Sequence, residues 1–94
     1  MFKRKLFNRI IETNEGWEIQ FLSRGTLLYS EPRRSILVNS EFLGVEMEMV
    51  IYQYSLKYWT KPKGSPENSP EEVAIILERI LRALHFIKFK AEVI

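Results

Sequence analysis

The residues best suited to binding chemistry lie between Tyr52 and Gly64, in the stretch YQYSLKYWTKPKG. Four aromatic residues and three lysines fall within these 13 residues. Exposed rings can stack on nucleic-acid bases while neighbouring lysines bind the phosphates, which would make a sequence-tolerant surface for single strands. Tyrosine and tryptophan are also typical anchors of protein interfaces. Both equally occur at the rim of a core, with the ring buried and the polar tip in water.

Three interpretations of this stretch remain open: the end of a strand at the core edge, a protein-binding surface, and a nucleic-acid contact. A continued strand would place Tyr54 and Tyr58 on one face and Lys57 and Trp59 on the other. Each face then mixes core and surface residues, as expected where a bulge or twist interrupts a long strand. The strand end is favoured, and a protein partner is its strongest rival. For that partner we predict contacts from Tyr54, Lys57, Tyr58, Trp59 and Lys61. A small nucleic-acid-binding domain would instead use the aromatic and basic residues around Lys57–Lys63.

Groups that could carry out acid–base or nucleophilic catalysis are few. His85, the only histidine, falls near the end of a predicted helix, where a partial positive charge suits the helix dipole. Glu46 and Glu48 would lie on one strand face about 7 Å apart. That spacing is compatible with carboxylate catalysis, but the solvent face of an amphipathic strand is the simpler interpretation. The chain has no cysteine and no nucleophile-elbow or phosphate-loop motif. We therefore predict a protein that is not an enzyme and needs neither a cofactor nor a metal.

The charge distribution gives only a weak nucleic-acid signal. The chain carries 14 basic and 12 acidic residues, and each half of the sequence has 7 of the former and 6 of the latter. A DNA-binding domain usually concentrates its positive charge on one element. The basic cluster at residues 3–9 could bind phosphate, but three glutamates follow it closely, so a solvated terminal cluster is favoured.

The sequence predicts a cytoplasmic protein. It contains no apolar run approaching the roughly 18–20 residues of a membrane span. The N-terminal segment is basic but lacks the apolar centre of a secretory signal. The absence of cysteine suits a reducing compartment.

Before residue 60 the hydrophobic pattern has a period of two, which indicates strands. WEIQFLS, GTLLYSE, SILVNS and VEMEMVIYQYSLKYW follow one another with short spacers, which favours antiparallel pairing. RIIETNEGWEI predicts a further hairpin that turns at Asn14–Gly16. A short basic helix is the alternative for residues 3–11.

After residue 69 the period becomes helical. Ser69 is the candidate N-cap, Pro70 stands at the first helical position and Glu72 completes a capping box. Glu78 and Arg82 are spaced for an i,i+4 ion pair. One apolar stripe follows from the spacing by threes and fours: Val73, Ile76, Leu77, Ile80, Leu81 and Leu84. The terminal IKFKAEV alternates again and predicts a closing strand.

We therefore predict a single α+β domain. Residues 1–60 form an antiparallel meander of four to five strands, residues 61–69 a loop, residues 70–86 an amphipathic helix packed on one face of the sheet, and residues 87–94 a short C-terminal strand. The helix stripe and the inward sheet residues would form one core.

Residues 17–94 also resemble a known group of proteins. The resemblance rests on the layout of a Trp-containing strand, RGTLLYSE, the segment SEFLGVEMEMVIYQYSLKYWTKP, SPEE opening a helix, and a final strand. Small bacterial immunity proteins of polymorphic, contact-dependent toxin systems are similar in this layout. The resemblance implies a cytosolic protein that neutralises one cognate toxin by covering its active site. It implies no catalytic residues.

The edges of the predicted sheet bear on self-association, because an open sheet leaves unpaired backbone groups at its edges. Lys88 and Lys90 protect the closing strand, whereas the apolar run Ile36–Val38 has no such protection. We favour an internal position for SILVNS, with burial on both faces, and predict a monomer. At an edge, this strand would instead form a dimer or accept a partner strand.

Overall fold

The computed structural model describes residues 2–5, 9–44 and 48–94, which form seven strands, one 3₁₀ helix and one α-helix. The elements are β1 (Phe2–Lys5), β2 (Ile10–Thr13), β3 (Glu18–Ser23), β4 (Thr26–Glu31), β5 (Arg34–Phe42), β6 (Glu48–Ile51), the 3₁₀ helix (Gln53–Leu56), α1 (Pro70–Phe86) and β7 (Lys90–Val93). In these described ranges we find no helix that could cross a membrane.

The strands form one sheet in the order β1-β2-β3-β4-β5-β6-β7, which is also their order along the chain. Neighbours are antiparallel up to β6, and β7 then runs parallel to β6, with Glu48 opposite Lys90. A parallel neighbour needs a long crossover, and α1 lies in that connection. The predicted α+β class is confirmed. The described meander has more strands than predicted, and it curls into a half-barrel.

The hairpin predicted from RIIETNEGWEI is present. Ile11 of β2 lies opposite Ile19 of β3, and the turn between the strands contains Gly16 at a φ of 93°. Only glycine adopts that conformation without strain. Residues 3–5 and 10–11 are strands, so the alternative of a basic helix does not hold for them. Residues 6–8 lie outside the described parts of the chain.

Strand β5 is internal, as favoured from the sequence, and pairs with β4 and β6. Its burial on both faces is not observed. Ile36 and Val38 are fully buried, whereas Leu37 points outward with 41% of its surface exposed. The sheet is covered by α1 on its concave side, so the outer face of β5 remains open to solvent.

The prediction that the strand of residues 45–59 continues past Ile51 is wrong. The chain turns into the 3₁₀ helix, and the Ser55 hydroxyl donates to the Tyr52 carbonyl at 2.7 Å while the Ser55 amide also donates to it. Serine side chains compete with sheet pairing through such local bonds. The predicted facing of Val45, Glu46 and Met47 lies outside the described residues.

The helix α1 agrees with its prediction in both bounds. Ser69 caps it, and the reciprocal bonds of the capping box join Ser69 and Glu72 at 3.2 and 3.1 Å. The Glu78–Arg82 ion pair is present at 2.8 Å. Of the predicted stripe, Ile76, Ile80 and Leu84 are buried, and Ala83 is buried beside them. The other members of the stripe are only partly buried.

The closing strand is shorter than predicted, because β7 begins at Lys90 rather than at Ile87. Ile87 instead caps α1 and is buried, and Lys88 turns the chain at a φ of 65°. Within β7 the predicted alternation is present, since Lys90 and Glu92 are exposed and Ala91 and Val93 are half-buried.

A polar cluster fastens α1 to the sheet. The buried Tyr29 hydroxyl donates to Glu31 at 2.7 Å and accepts from Arg79 of α1 at 2.8 Å, while Arg34 pairs with Glu31 at 2.9 Å. Burial is the main reason that the pKa of Tyr29 rises to about 12. Burial also opposes the charge on Glu31, but hydrogen bonds from Tyr29 and Arg34 and the two arginine charges outweigh it and lower the pKa of this carboxyl.

Candidate functional site

The five residues predicted to contact a partner fall into two groups. Tyr54 and Tyr58 are 64% and 52% exposed, and Lys57 and Lys61 are also exposed. Trp59 is only 7% exposed, so its prediction as a surface residue does not hold. Its ring packs 6.1 Å from the ring of Tyr29 and lies 4.1 Å from the Arg34 guanidinium. Trp59 therefore belongs to the core and does not offer its ring to a partner.

Tyr52 and Tyr54 line a groove of about 580 Å³ between the 3₁₀ helix, the start of α1 and the C-terminal residue. We call it the tyrosine groove. Its lining consists of Tyr52, Gln53, Tyr54, Lys57, Glu67, Asn68, Pro70, Val73 and Ile94. Tyr58 lies beside this groove and reaches it through its hydrogen bond to Glu67. Of the predicted set, Tyr54 and Lys57 therefore line the groove, and Tyr58 adjoins it through Glu67.

Each tyrosine hydroxyl at this surface has a fixed partner. Tyr52 donates to Glu41 at 2.9 Å, and Tyr58 donates to Glu67 at 3.1 Å. The Tyr54 hydroxyl accepts from the Asn39 side chain at 2.6 Å. The rings of Tyr52 and Tyr54 are also 6.1 Å apart. The hydroxyl contacts hold the rings in one orientation while the faces of Tyr54 and Tyr58 remain exposed.

The carboxylate partners also raise the pKa of two tyrosines. The hydrogen bond to Glu41, reinforced by its negative charge, raises the pKa of Tyr52. The bond to Glu67 raises the pKa of Tyr58 in the same way. Each phenol donates its proton to the carboxylate in this hydrogen bond. Their oxygen lone pairs can still accept from another molecule.

Hydrogen bonds to β5 hold the segment that forms one side of the groove. The Asn39 amide donates to the Ser55 hydroxyl, and the Leu37 amide donates to the Thr60 hydroxyl, both at 2.9 Å. Ser35 bonds with Lys61 through their backbones. These contacts satisfy β5 backbone groups beyond the end of its pairing with β6, and they fix the tyrosine segment against the sheet.

Buried Asn68 fixes the opposite wall of the groove. Its side chain donates to the Leu56 carbonyl at 2.9 Å, and its backbone amide donates to the Lys57 carbonyl at 2.8 Å. Asparagine in a loop commonly organises a turn in this way. Glu67, whose carboxylate accepts from Tyr58, directly precedes Asn68 in the chain.

The outer face of β5 continues the surface beyond the groove. Leu37, Asn39 and Glu41 lie in a row on this face. Asn39 is bonded to Tyr54 and Glu41 to Tyr52. Leu37 lies opposite half-buried Leu28 of β4. Asn39 and Glu41 thus connect the tyrosines to the outer face of β5, on which Leu37 also lies.

Of the three residues with catalytic potential, the structure describes His85 and Glu48. His85 is exposed near the end of α1, and Glu48 begins β6. The structure does not describe Glu46, so the predicted glutamate pair lies outside the described residues. Within the described ranges, no group of three potential metal-binding side chains occurs. That the protein is not an enzyme therefore stays a prediction from the sequence.

Comparison with known proteins adds no further identification. A scan against protein-family models, a search of curated proteins and a search of solved structures each found no significant match. The site is therefore interpreted from its own geometry.

Proposed function

We propose that this chain is a non-catalytic protein-binding module whose contact surface is the tyrosine groove with the adjoining outer face of β5. The observation that carries the proposal is the set of tyrosines whose hydroxyls are bound while two of the rings remain exposed. Rigid tyrosines supply a large contact area at a low cost in conformational entropy. Pre-organised side chains lose less freedom when a partner binds.

The hydroxyls and carboxylates define the chemistry of the partner. Tyr54 accepts from Asn39 and therefore keeps its own proton for an acceptor on the partner. Glu41 and Glu67 place negative charge beside the rings of Tyr52 and Tyr58. A protein that presents an apolar patch flanked by lysine or arginine would match both features.

The resemblance of residues 17–94 to immunity proteins makes a cognate toxin the favoured kind of partner. Under this proposal the tyrosine groove covers the active site of the toxin, and the chain contributes no catalytic group. The chain would act in the cytoplasm as a monomer until the partner binds. Exposed charges on the edge strands support the monomer, because Lys3 lies on β1 and Lys90 and Glu92 lie on β7.

A nucleic-acid partner is the alternative, and the exposure of Lys57, Lys61 and Lys63 favours it. The same surface, however, carries Glu41 and Glu67 hydrogen-bonded to the tyrosines. Carboxylates at the rings would repel the phosphates that follow stacked bases. The protein partner is therefore the better match to the charge pattern.

The proposal predicts differential recovery of a partner from the cell that encodes the chain. Tagged wild-type protein, a Tyr54→Ala/Tyr58→Ala double variant and a Phe86→Ala control would be purified and their bound proteins quantified by mass spectrometry. Phe86 is a matched control because it is an aromatic residue, 45% exposed, at the far end of α1. We expect one protein to be retained by the wild type and the control and reduced at least about tenfold by the double variant, as for hot-spot residues.

Two results would count against the proposal. The first is a set of co-purifying proteins that does not differ between the double variant and the control. The second is tight binding of single-stranded or duplex oligonucleotides that the double variant abolishes and that weakens steeply with salt, because counterion release marks phosphate binding. Unchanged circular dichroism and urea midpoints would show that the variants are folded.

A further inference from the structure

A second cavity opens at one end of the half-barrel and shares no lining residue with the tyrosine groove. It has a volume of about 360 Å³, within the range of about 300–1,000 Å³ typical of small-molecule sites. Its described lining consists of Arg9, Ile11, Phe21, Ser23, Arg24, Phe42, Met49, Ile87 and Phe89. The elements converge here because β2, β4, β6 and β7 begin and β3 and β5 end at this side of the sheet.

The floor of this end cavity is aromatic. The Phe89 ring lies 6.0 Å from that of Phe21 and 5.7 Å from that of Phe42. All three phenylalanines pack against the core but are only partly buried by it. Apolar surface that the fold leaves partly uncovered in a concave site is suited to an aliphatic or aromatic group.

The rim of the end cavity is cationic. Arg9 and Arg24 are exposed, and within the described residues neither guanidinium has an ion-pair partner. The described lining also contains no carboxylate. Guanidinium groups bind carboxylates and phosphates through paired hydrogen bonds, so an anionic group is the expected occupant of this rim.

The backbone builds the arginines into the cavity wall. The Arg9 carbonyl accepts from the Phe21 amide at 3.0 Å, and the Arg24 carbonyl accepts from the Phe42 amide at 3.1 Å. Each rim arginine is thus joined to one phenylalanine of the floor by a backbone hydrogen bond. Arg9 also has a φ of 50°, in the left-handed region that residues with a side chain rarely adopt. Such conformations concentrate at functional sites.

From these features we infer that the end cavity binds a small amphipathic anion, with an apolar tail against Phe21, Phe42 and Phe89 and a carboxylate or phosphate head group between Arg9 and Arg24. The tail gains from burial of apolar surface, and the head group gains from charge-assisted hydrogen bonds. This site is independent of the tyrosine groove and of the partner that the groove binds.

The test is an NMR titration of the ¹⁵N-labelled full chain with octanoate, octyl phosphate and octanol. We expect both anions to give saturable shifts at the amides of Phe21, Phe42 and Phe89, and octanol to bind at least about tenfold more weakly. Tighter binding of octanoate would identify a carboxylate ligand, and tighter binding of octyl phosphate a phosphate ligand. Arg24→Gln and Arg9→Gln should each weaken anion binding by about tenfold or more. Arg33→Gln, a matched change of an exposed arginine in the β4–β5 turn, should have no effect.

Any of three results would overturn the inference. One is octanol binding as tightly as octanoate, which would show that the head group makes no contribution. Another is an equal loss of affinity with Arg33→Gln, which would show a non-specific charge effect. The third is the absence of saturable shifts at the end cavity with both anions.

Discussion

Replacement of Tyr29 by alanine is expected to lower the free energy of unfolding by about 3–5 kcal/mol, as for other large buried aromatic residues. Tyr29 is fully buried, and its ring lies 5.9 Å from that of Trp17 and 6.1 Å from that of Trp59. Its hydroxyl also links Glu31 of β4 to Arg79 of α1. The substitution therefore removes the centre of an aromatic cluster and one of the two bonds that Arg79 of α1 makes to β4, the other being its 3.3 Å contact with Glu31.

Tyr29→Phe separates these two contributions. Phenylalanine keeps the ring and deletes only the hydrogen bonds to the charged groups, which should cost about 1.5–3 kcal/mol. Urea denaturation followed by tryptophan fluorescence measures the free energy of unfolding of both variants, because Trp17 and Trp59 are buried in the folded protein. A loss below about 1 kcal/mol for Tyr29→Ala, well under the usual cost of such a deletion, would contradict the central position of this residue.

The second large effect is expected at the interface between α1 and the sheet. Ile80→Ala should lower the free energy of unfolding by about 2–5 kcal/mol, because it deletes a fully buried side chain from the concave core. Ile75 lies on the same helix but is 52% exposed. Ile75→Ala should change stability by no more than about 0.5 kcal/mol, since surface substitutions usually have small effects.

The pair of variants tests how α1 sits on the sheet, since residue type and helix are the same in both. Chemical denaturation with a common slope would give the two stabilities. Equal losses for Ile75→Ala and Ile80→Ala would show that α1 is rotated from the orientation described above.

The parts of the fold that local chemistry determines could be predicted from the sequence. The capping box at Ser69 and Glu72 is complete within four residues, and both bounds of α1 follow from its pattern. The alternation in β3 and β4 is likewise local. The class and the antiparallel pairing from β2 to β6 followed from short spacers, whereas β1 was not predicted.

The errors arise where contacts distant in sequence decide the structure. The local bond from Ser55 to Tyr52 starts the 3₁₀ helix, and the Ser55 and Thr60 hydroxyls then accept from β5 amides 16 and 23 residues away, a pairing that the sequence pattern does not reveal. Trp59 is buried because Tyr29 and Arg34 enclose its ring. Leu37 looks internal in sequence, but its side chain points outward with 41% of its surface exposed.

Only part of the candidate site could be predicted, because its residue types are visible in the sequence and its hydrogen-bond partners are not. Tyr54 and Tyr58 stand out by residue type, and both are exposed. Their hydrogen-bond partners Asn39 and Glu67 lie 15 and 9 residues away and have no distinguishing pattern. Asn68, placed between two prolines, offered a turn signal that could have marked it as an organising residue.

Site-specific photo-crosslinking in the cell that encodes the chain tests the proposed function most directly. p-Benzoyl-phenylalanine would replace Tyr54, Tyr58 or, as a control at the far end of α1, Phe86, so that one aromatic ring replaces another at three exposed positions. We predict that one protein is cross-linked from the Tyr54 and Tyr58 positions and not from the Phe86 position. Cross-linking of the same protein from Phe86 alone, or of nucleic acid rather than protein from Tyr54 and Tyr58, would contradict a protein-binding role for the tyrosine groove.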